Sequence, residues 1–357
     1  MFPLERHGMM QNNSKKYEGF APAKINLYLD VLSKMDSGYH NIDSIMQSVS
    51  LLDKITLEIS YSNNQNVIEI ESSTGKIPNN KDNIVYKCAE AILKNTNTNG
   101  VNCKFFIDKN IPIAAGMAGG SSDGACAMKL LNEALENPLS HNELCSIGAK
   151  IGADIPFCLT GKTAICQGIG DKITPITSFS DTFIVCAIDN SSVSTPEAFK
   201  LLDEKYGTNC SPSNNIEEII QAIEDGNISQ ICKCLYNKFE SVIEPNNPNI
   251  SKIKNTLLNN GAIGALMSGS GPSVFGIFTD ENSQLKAFNE LKNQSIRAFL
   301  CKTIWFFCFF VDKTIFSFYN YKNNFKLIQG EFYVKGFIRL QVWQRGYHFW
   351  WRSSYPS

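Results

Sequence analysis

The segment Pro112-Ile113-Ala114-Ala115-Gly116-Met117-Ala118-Gly119-Gly120-Ser121-Ser122 is the stretch whose residue types point most directly to chemistry. Its glycines let backbone approach a ligand closely, and the helix pattern behind it would present unpaired N–H groups and a positive dipole end. That arrangement suits a chain of phosphates, although a glycine-rich turn that only caps a helix has the same composition. The segment lacks the Lys-Ser/Thr ending of a Walker loop and is not GxGxxG, which counts against a P-loop NTPase and a dinucleotide enzyme. Three other segments combine turn residues with charge or hydroxyls: Ala21-Pro22-Ala23-Lys24-Ile25-Asn26-Leu27, Gly152-Ala153-Asp154-Ile155-Pro156 and Met267-Ser268-Gly269-Ser270-Gly271-Pro272-Ser273. Taken singly, Lys24 is an ordinary solvated strand lysine and Asp154 an ordinary helix-capping residue. The histidines His7, His40, His141 and His348 lie far apart, none pairs with a cysteine at zinc spacing, and the 12 cysteines include no CxxC pair. No protein-built metal site is expected, and the cysteines are expected to be reduced core thiols.

These residues need elements to hold them. From Tyr17 to Ser60 the apolar residues alternate or run continuously around a Ser37-Gly38 turn, which predicts a β-rich start. Ile84, Val85, Cys88, Ala89, Ile92 and Leu93 recur at helical spacing. A strand at 101–112, the glycine-rich segment and a strong helix pattern at 125–135 follow. The Gly152 segment follows a helix, and the Met267 segment is placed between a helix and a strand. A new strand from Phe183 to Asp189 opens a second mixed segment that ends near Ile304. This alternation without a fixed repeat predicts two α+β domains.

Composition bounds the rest. The 357 residues carry 33 Lys plus Arg against 34 Asp plus Glu, so no overall cationic field attracts a polyanion. The balance is uneven: residues 305–357 hold 7 Lys and Arg against 2 Asp and Glu, with all four tryptophans. The N-terminus has no apolar run of signal-peptide length and no stretch is long enough to span a bilayer, so a cytoplasmic protein without a membrane partner is expected.

In this order and at these separations, PAKINL, Gly38-Tyr39-His40, AAGMAGGSS, GADIPF and MSGSGPSVFG resemble the GHMP kinase superfamily, over about Phe20 to Ile304. Within it they are similar to the branch that phosphorylates a cytidine diphospho-sugar alcohol of the non-mevalonate isoprenoid pathway. The resemblance implies a two-domain α+β GHMP kinase fold, with an N-terminal ribosomal-protein-S5-like domain and a C-terminal ferredoxin-like domain. It implies boundaries of 1–15 for an N-terminal extension, 16–165 and 166–304 for the two domains, and 305–357 for a tail outside the family.

The implied reaction moves the ATP γ-phosphoryl group to the 2-hydroxyl of 4-diphosphocytidyl-2-C-methyl-D-erythritol, with Mg²⁺ as the accompanying ion. Asp154 matches the family's catalytic aspartate and Lys24 its partner lysine. Pro112 through Ser122 match the ATP loop, and Asn83 a position near the adenine. Asn26, Tyr39 and His40 match acceptor-binding residues, Tyr39 and His40 at the cytosine. Thr195, Phe199, Ser268, Gly269 and Ser270 match the parts of the second domain that close over the pocket and approach the transferring phosphate. Ser37, Met117 and Gly124 depart from the family's usual acidic residue, leucine and alanine. Other acceptors of the superfamily, homoserine or mevalonate, remain open, as does a non-catalytic nucleotide-binding module recruited through the tail. The tail shows no amphipathic period, RNP-like motif or basic cluster, so it is expected to be non-native or disordered sequence, with no nucleic-acid partner.

Overall fold

The computed structural model describes residues 14–304 apart from 62–64, 189–192, 209–211 and 213–214; beyond 304 it describes short strands only. The expected Ser37-Gly38 turn joins two long antiparallel strands, β1 (Lys15–Lys34) and β2 (His40–Tyr61), with Gly38 at φ +85°. Then come β3 (Val67–Ser72), α1 (Ile84–Asn95), β4 (Val101–Asp108), α2 (Gly119–Ala134), α3 (His141–Ala149), α4 (Ile155–Thr160), β5 (Thr163–Gly168) and β6 (Lys172–Pro175). The β2 strand pairs with β1 along one edge, and with β4 and β5 along successive lengths of the other. Val85, Cys88, Ala89, Ile92 and Leu93, the periodic set seen in the sequence, form the buried stripe of α1. They share one core with α2, α4 and the sheet.

The second part contains β7 (Phe183–Ile188), α5 (Thr195–Tyr206), α6 (Ile216–Glu224), α7 (Ile228–Lys233), β8 (Tyr236–Asn237) and α8 (Glu240–Ile243). It continues with α9 (Pro248–Asn259), β9 (Gly264–Met267), β10 (Ser273–Phe278), α10 (Glu281–Asn293) and β11 (Arg297–Lys302). A four-stranded antiparallel sheet runs β11-β7-β10-β9. The short strand β9 stands between α9 and the Ser268 segment, so that segment is a strand-to-strand turn rather than the helix-to-strand link expected from the sequence. Four residues rich in Gly and Ala give too brief a period to register as a strand.

The two sheets are not independent. Ala23, Ile25 and Leu27 of β1 pack in one apolar cluster with Ile184, Phe275 and Ile277 of the second sheet. The two-residue strand β8 pairs in parallel with Tyr28–Leu29 of β1. The implied domain boundary at 165/166 falls inside β5, a strand of the larger sheet. Among the described residues no helix is long and apolar enough to cross a membrane. The tail from 305 onward lies almost wholly outside the described residues; its strand β12 (Phe309–Val311) pairs with Tyr17–Gly19 at the edge of β1.

Candidate active site

The β1 strand does not run evenly past β2. Its register shifts between Pro22 and Lys24 and again between Asn26 and Tyr28, so irregularities bracket the Lys24–Asn26 stretch on both sides. Such irregularities re-aim side chains at the cost of ladder pairing. Here they leave Lys24 and Asn26 nearly inaccessible to solvent yet lining a cavity of about 670 Å³. Lys24 Nζ donates to Asn26 Oδ1 at 2.7 Å, Asn26 Nδ2 donates to Ser44 Oγ at 2.9 Å, and Ser44 Oγ donates to the Tyr28 carbonyl at 2.7 Å. A buried ammonium held this way has a fixed position without a carboxylate clamped to it.

Asp154 occupies the N-cap position of α4 but makes no side-chain capping bond. The simpler sequence reading, a helix cap, therefore does not describe its carboxylate, which instead lines the same cavity as Lys24. Among the described residues no ion pair joins the two, and the direct partner of the ammonium is Asn26.

Opposite, α2 begins without a side-chain cap. Ala118 precedes it in the left-handed region at φ +55°, as does Ala114 at φ +53°. An uncapped first turn leaves N–H groups for an anionic ligand. Pro112, Ile113, Ala114, Ala115, Gly116, Ala118, Gly119, Gly120 and Ser121 line the cavity, and so does Asn83. Met117 and Ser122 do not. The Met117 side chain belongs to the core shared by the two sheets, and Ser122 is buried with its hydroxyl donating to the Pro22 carbonyl at 2.7 Å. Asn83 caps α1 by accepting from Val85 N–H at 2.8 Å, so it serves the helix and the cavity wall together. Gly124, where the resemblance leads one to expect alanine, has a packing reason: a Cβ there would come within 2.7 Å of Ile84 Cγ2 and 2.9 Å of Cys88 Sγ on α1.

The second sheet closes the cavity through backbone. Ser268 Oγ donates to the Gly116 carbonyl at 3.2 Å and accepts from Asn26 N–H at 3.3 Å, and Ser273 Oγ donates to the Ala115 carbonyl. Gly116, at φ +72°, leaves no room for a Cβ, which would lie 2.4 Å from the Ser268 carbonyl oxygen. Gly269 and Ser270 line the cavity, while Ser268 acts from behind it. Thr195 and Ser270 exchange a hydroxyl hydrogen bond of 2.9 Å.

Phe199 lines the cavity and stacks on His40, with centroids 4.5 Å apart and planes at 14°, while its edge meets Phe239. His40 Nε2 is 2.8 Å from Asp203 Oδ1, and Lys34 Nζ donates to Asp203 Oδ2 at 2.6 Å. Desolvation opposes ionisation of Asp203, but the Lys34 and His40 hydrogen bonds prevail and hold its carboxyl below the usual range. Tyr39 is 62 % exposed at the hairpin turn and does not line the cavity in this state.

Sequence reasoning missed Asp53, Lys109 and Asp123, which meet beneath the glycine loop. Lys109 Nζ donates to both carboxylates. Asp123 had a usable signal: a carboxylate directly before Gly124, Ala125, Cys126 and Ala127 sits on a buried helix face, where a charge needs a partner. Among the described residues no group of three or more His, Cys, Asp or Glu can hold a metal ion.

Comparison with known proteins identifies the family. The GHMP kinases N terminal domain matches residues 83–162 and the GHMP kinases C terminal domain residues 219–297. The 4-diphosphocytidyl-2-C-methyl-D-erythritol kinase of Alkaliphilus metalliredigens is 42 % identical over 75 % of this chain and 90 % of its own length. That of Caldicellulosiruptor bescii is 43 % identical over 76 % of this chain and 93 % of its own. A crystal structure of 4-(cytidine 5'-diphospho)-2C-methyl-D-erythritol kinase superposes with a TM-score of 0.67 at 25 % identity, covering 80 % of this chain and 98 % of that one. A homoserine kinase from Cytophaga hutchinsonii shares the fold at 16 % identity and a TM-score of 0.64, covering 84 % of this chain and 97 % of its own. With relatives this similar over this much of its length, the chain belongs to the 4-diphosphocytidyl-2-C-methyl-D-erythritol kinase family of GHMP kinases.

Proposed function

We propose that this chain transfers the γ-phosphoryl group of ATP to the 2-hydroxyl of 4-diphosphocytidyl-2-C-methyl-D-erythritol. The observation that carries the reading is the meeting, at one cavity, of an uncapped helix N-terminus with glycine-rich backbone on one side and the Lys24 and Asp154 side chains on the other. Phosphoryl transfer needs positioning and charge neutralisation more than covalent help. The first-turn N–H groups of α2 and the loop from Pro112 to Ser121 cradle the ATP phosphates. Asp154, its carboxylate not engaged in capping, accepts the proton of the attacking hydroxyl. Lys24, fixed by Asn26, offsets negative charge that builds on the transferring oxygens.

Mg²⁺ accompanies ATP in this reading and neutralises its phosphates. Among the described residues no group of three or more His, Cys, Asp or Glu could hold it, and no step is assigned to the ion. Phe199 lines the cytidine end with His40 stacked behind it, Tyr39 at the exposed hairpin turn comes over the base when the acceptor binds, and α5 closes from the second domain through Thr195. Residues 16–165 carry the ATP loop and the catalytic pair, and 166–304 supply the closing half.

The test is ADP release by the purified enzyme with ATP and Mg²⁺, offered the cytidine diphospho-sugar alcohol, mevalonate or homoserine in parallel. Turnover of the first alone is expected. Turnover of either other acceptor without the first would sink the assignment.

A further inference from the structure

Under the glycine loop, two carboxylates share one ammonium. Asp53 comes from β2 and is fully buried, Asp123 comes from the second turn of α2 and is 3 % exposed, and Lys109 follows β4. Lys109 Nζ lies 2.9 Å from Asp123 Oδ2 and also donates to Asp53 Oδ2. The ammonium rests against the first residue of α2, where a Cβ on Gly119 would come within 3.1 Å of it. Asp53 Oδ1 accepts the backbone N–H groups of Asn110 and Ile111, the approach to the glycine loop. Asp123 Oδ1 is buried and receives no donor at all.

With both acids ionised, this cluster would carry an uncompensated negative charge in a dry wall of the cavity where phosphates are to bind, an arrangement penalised twice, by desolvation and by repulsion. Lys109 Nζ bonds one oxygen of each carboxyl, so two buried acids crowd a single cation, and one proton on the pair relieves the excess charge. We propose that Asp123 is a neutral carboxylic acid sharing one proton with Asp53, so that Lys109 is matched by a single carboxylate and the wall beneath the phosphates carries no net charge. Asp123 is thereby a positioning residue for the nucleotide, acting through Lys109 and the first turn of α2. The proposal rests on the reading of this cavity as the ATP site.

Its surroundings agree. Asp53 and Lys109 are the charged groups that face it from β2 and from the segment after β4. Along its own helix are Lys129 and Cys126, and α1 contributes Cys88; burial pushes both thiols up and keeps them neutral. Asp82 is exposed at the cavity edge. Burial and the neighbouring Asp53 raise the Asp123 carboxyl well above the carboxylate range, against the opposing pull of Lys109.

Calorimetric binding of ADP to the full chain, followed upward in pH from the ordinary carboxylate range, tests the idea, with the slope of the wild type read against that of the variants so that Lys129, which burial lowers to about 8, cancels. The wild-type Kd is expected to rise about tenfold as the shared proton leaves. In Asp123→Asn and, separately, Asp53→Asn, the Kd should stay level, since neither variant can gain the second charge. A parallel rise in wild type and both variants overturns the proposal.

Thermal stability without nucleotide supplies a second readout. A carboxyl raised by folding contributes stability that is full at low pH and lost as pH climbs from the ordinary carboxylate value to the raised one. Buried Glu133 and Glu240 give declines of the same sign, so the wild type should decline more steeply than either variant; equal slopes in all three also overturn the proposal. If ADP fails to bind the wild type at any pH, the ATP reading falls and takes the nucleotide-positioning role with it, while the stability slope still reports the shared proton.

Discussion

The backbone N–H of Lys24 donates to the carbonyl of Met117 at 3.1 Å, tying the strand that carries the lysine to the middle of the glycine loop. A shift of either segment therefore moves the other, and the ammonium keeps its place relative to the glycine loop. Met117 contributes through its backbone and its place in the core, although its side chain never reaches the cavity.

Asp154→Asn is expected to lower kcat by about 10²- to 10⁴-fold, the usual worth of a general base, with the KM for ATP within a few-fold of wild type. Because the carboxylate makes no capping bond, the melting temperature should scarcely move. Wild-type kcat in this variant would show that another group takes the proton.

Asn26→Leu removes the acceptor that holds Lys24 Nζ. With the ammonium free to swing, kcat should fall about tenfold or more while ATP binding, measured by ADP titration, is largely kept. The same change unpairs Ser44 Oγ from its donor, so urea unfolding should register a loss of about 1–3 kcal/mol.

Gly116→Ala places a methyl group 2.4 Å from the Ser268 carbonyl oxygen in a left-handed backbone, so the two loops must part. A stability loss of about 1–3 kcal/mol is expected from the strain alone, together with a raised KM for ATP. Gly38→Ala is the contrasting variant: its φ is also positive but nothing lies within 4 Å of the added carbon, so the KM should stay near that of wild type.

Asp203→Ala frees Lys34 and His40 together. The expected signature is a raised KM for the cytidine-bearing acceptor with little change for ATP, since His40, on which Phe199 stacks, loses its carboxylate partner. A carboxyl held low in the folded state stabilises above its unfolded value and loses that contribution as pH falls through the folded one. Acidification below the ordinary carboxylate range should therefore loosen α5 in the wild type, seen as faster amide exchange in that helix, and should add nothing further in the variant.

Truncation after Ile304 is expected to preserve turnover and improve solubility, measured as activity and soluble yield. Ile304 itself must stay: its N–H donates to the Ser48 carbonyl at 3.0 Å, and its carbonyl accepts from Gln47 Nε2 at 3.0 Å. Loss of activity on truncation would give the tail a part in the enzyme.

Much of this was legible in the residues, for identifiable reasons. The α1 stripe and the hairpin turn at Gly38 are local patterns, and period or turn chemistry reveals them. The glycine loop was legible because an uncapped helix start needs small residues wherever a ligand is to come close. What stayed hidden depends on distant partners. Lys109 and Asp53 are 56 positions apart, and nothing local to either announces the pair. Ser122 belongs to the matched loop, but nothing local shows that its hydroxyl donates to Pro22, 100 residues away. The strand β9 was missed because four residues carry too little pattern, and its existence is decided by pairing with β10.

Asn26 N–H meets Ser268 Oγ across 242 positions of sequence. On the ribosome, the strand bearing the ammonium and the glycine loop emerge long before the turn that closes over them. A nascent chain stalled anywhere before Ser268 thus holds an open half-site, and the enzyme acquires its closed cavity only after that turn has been made.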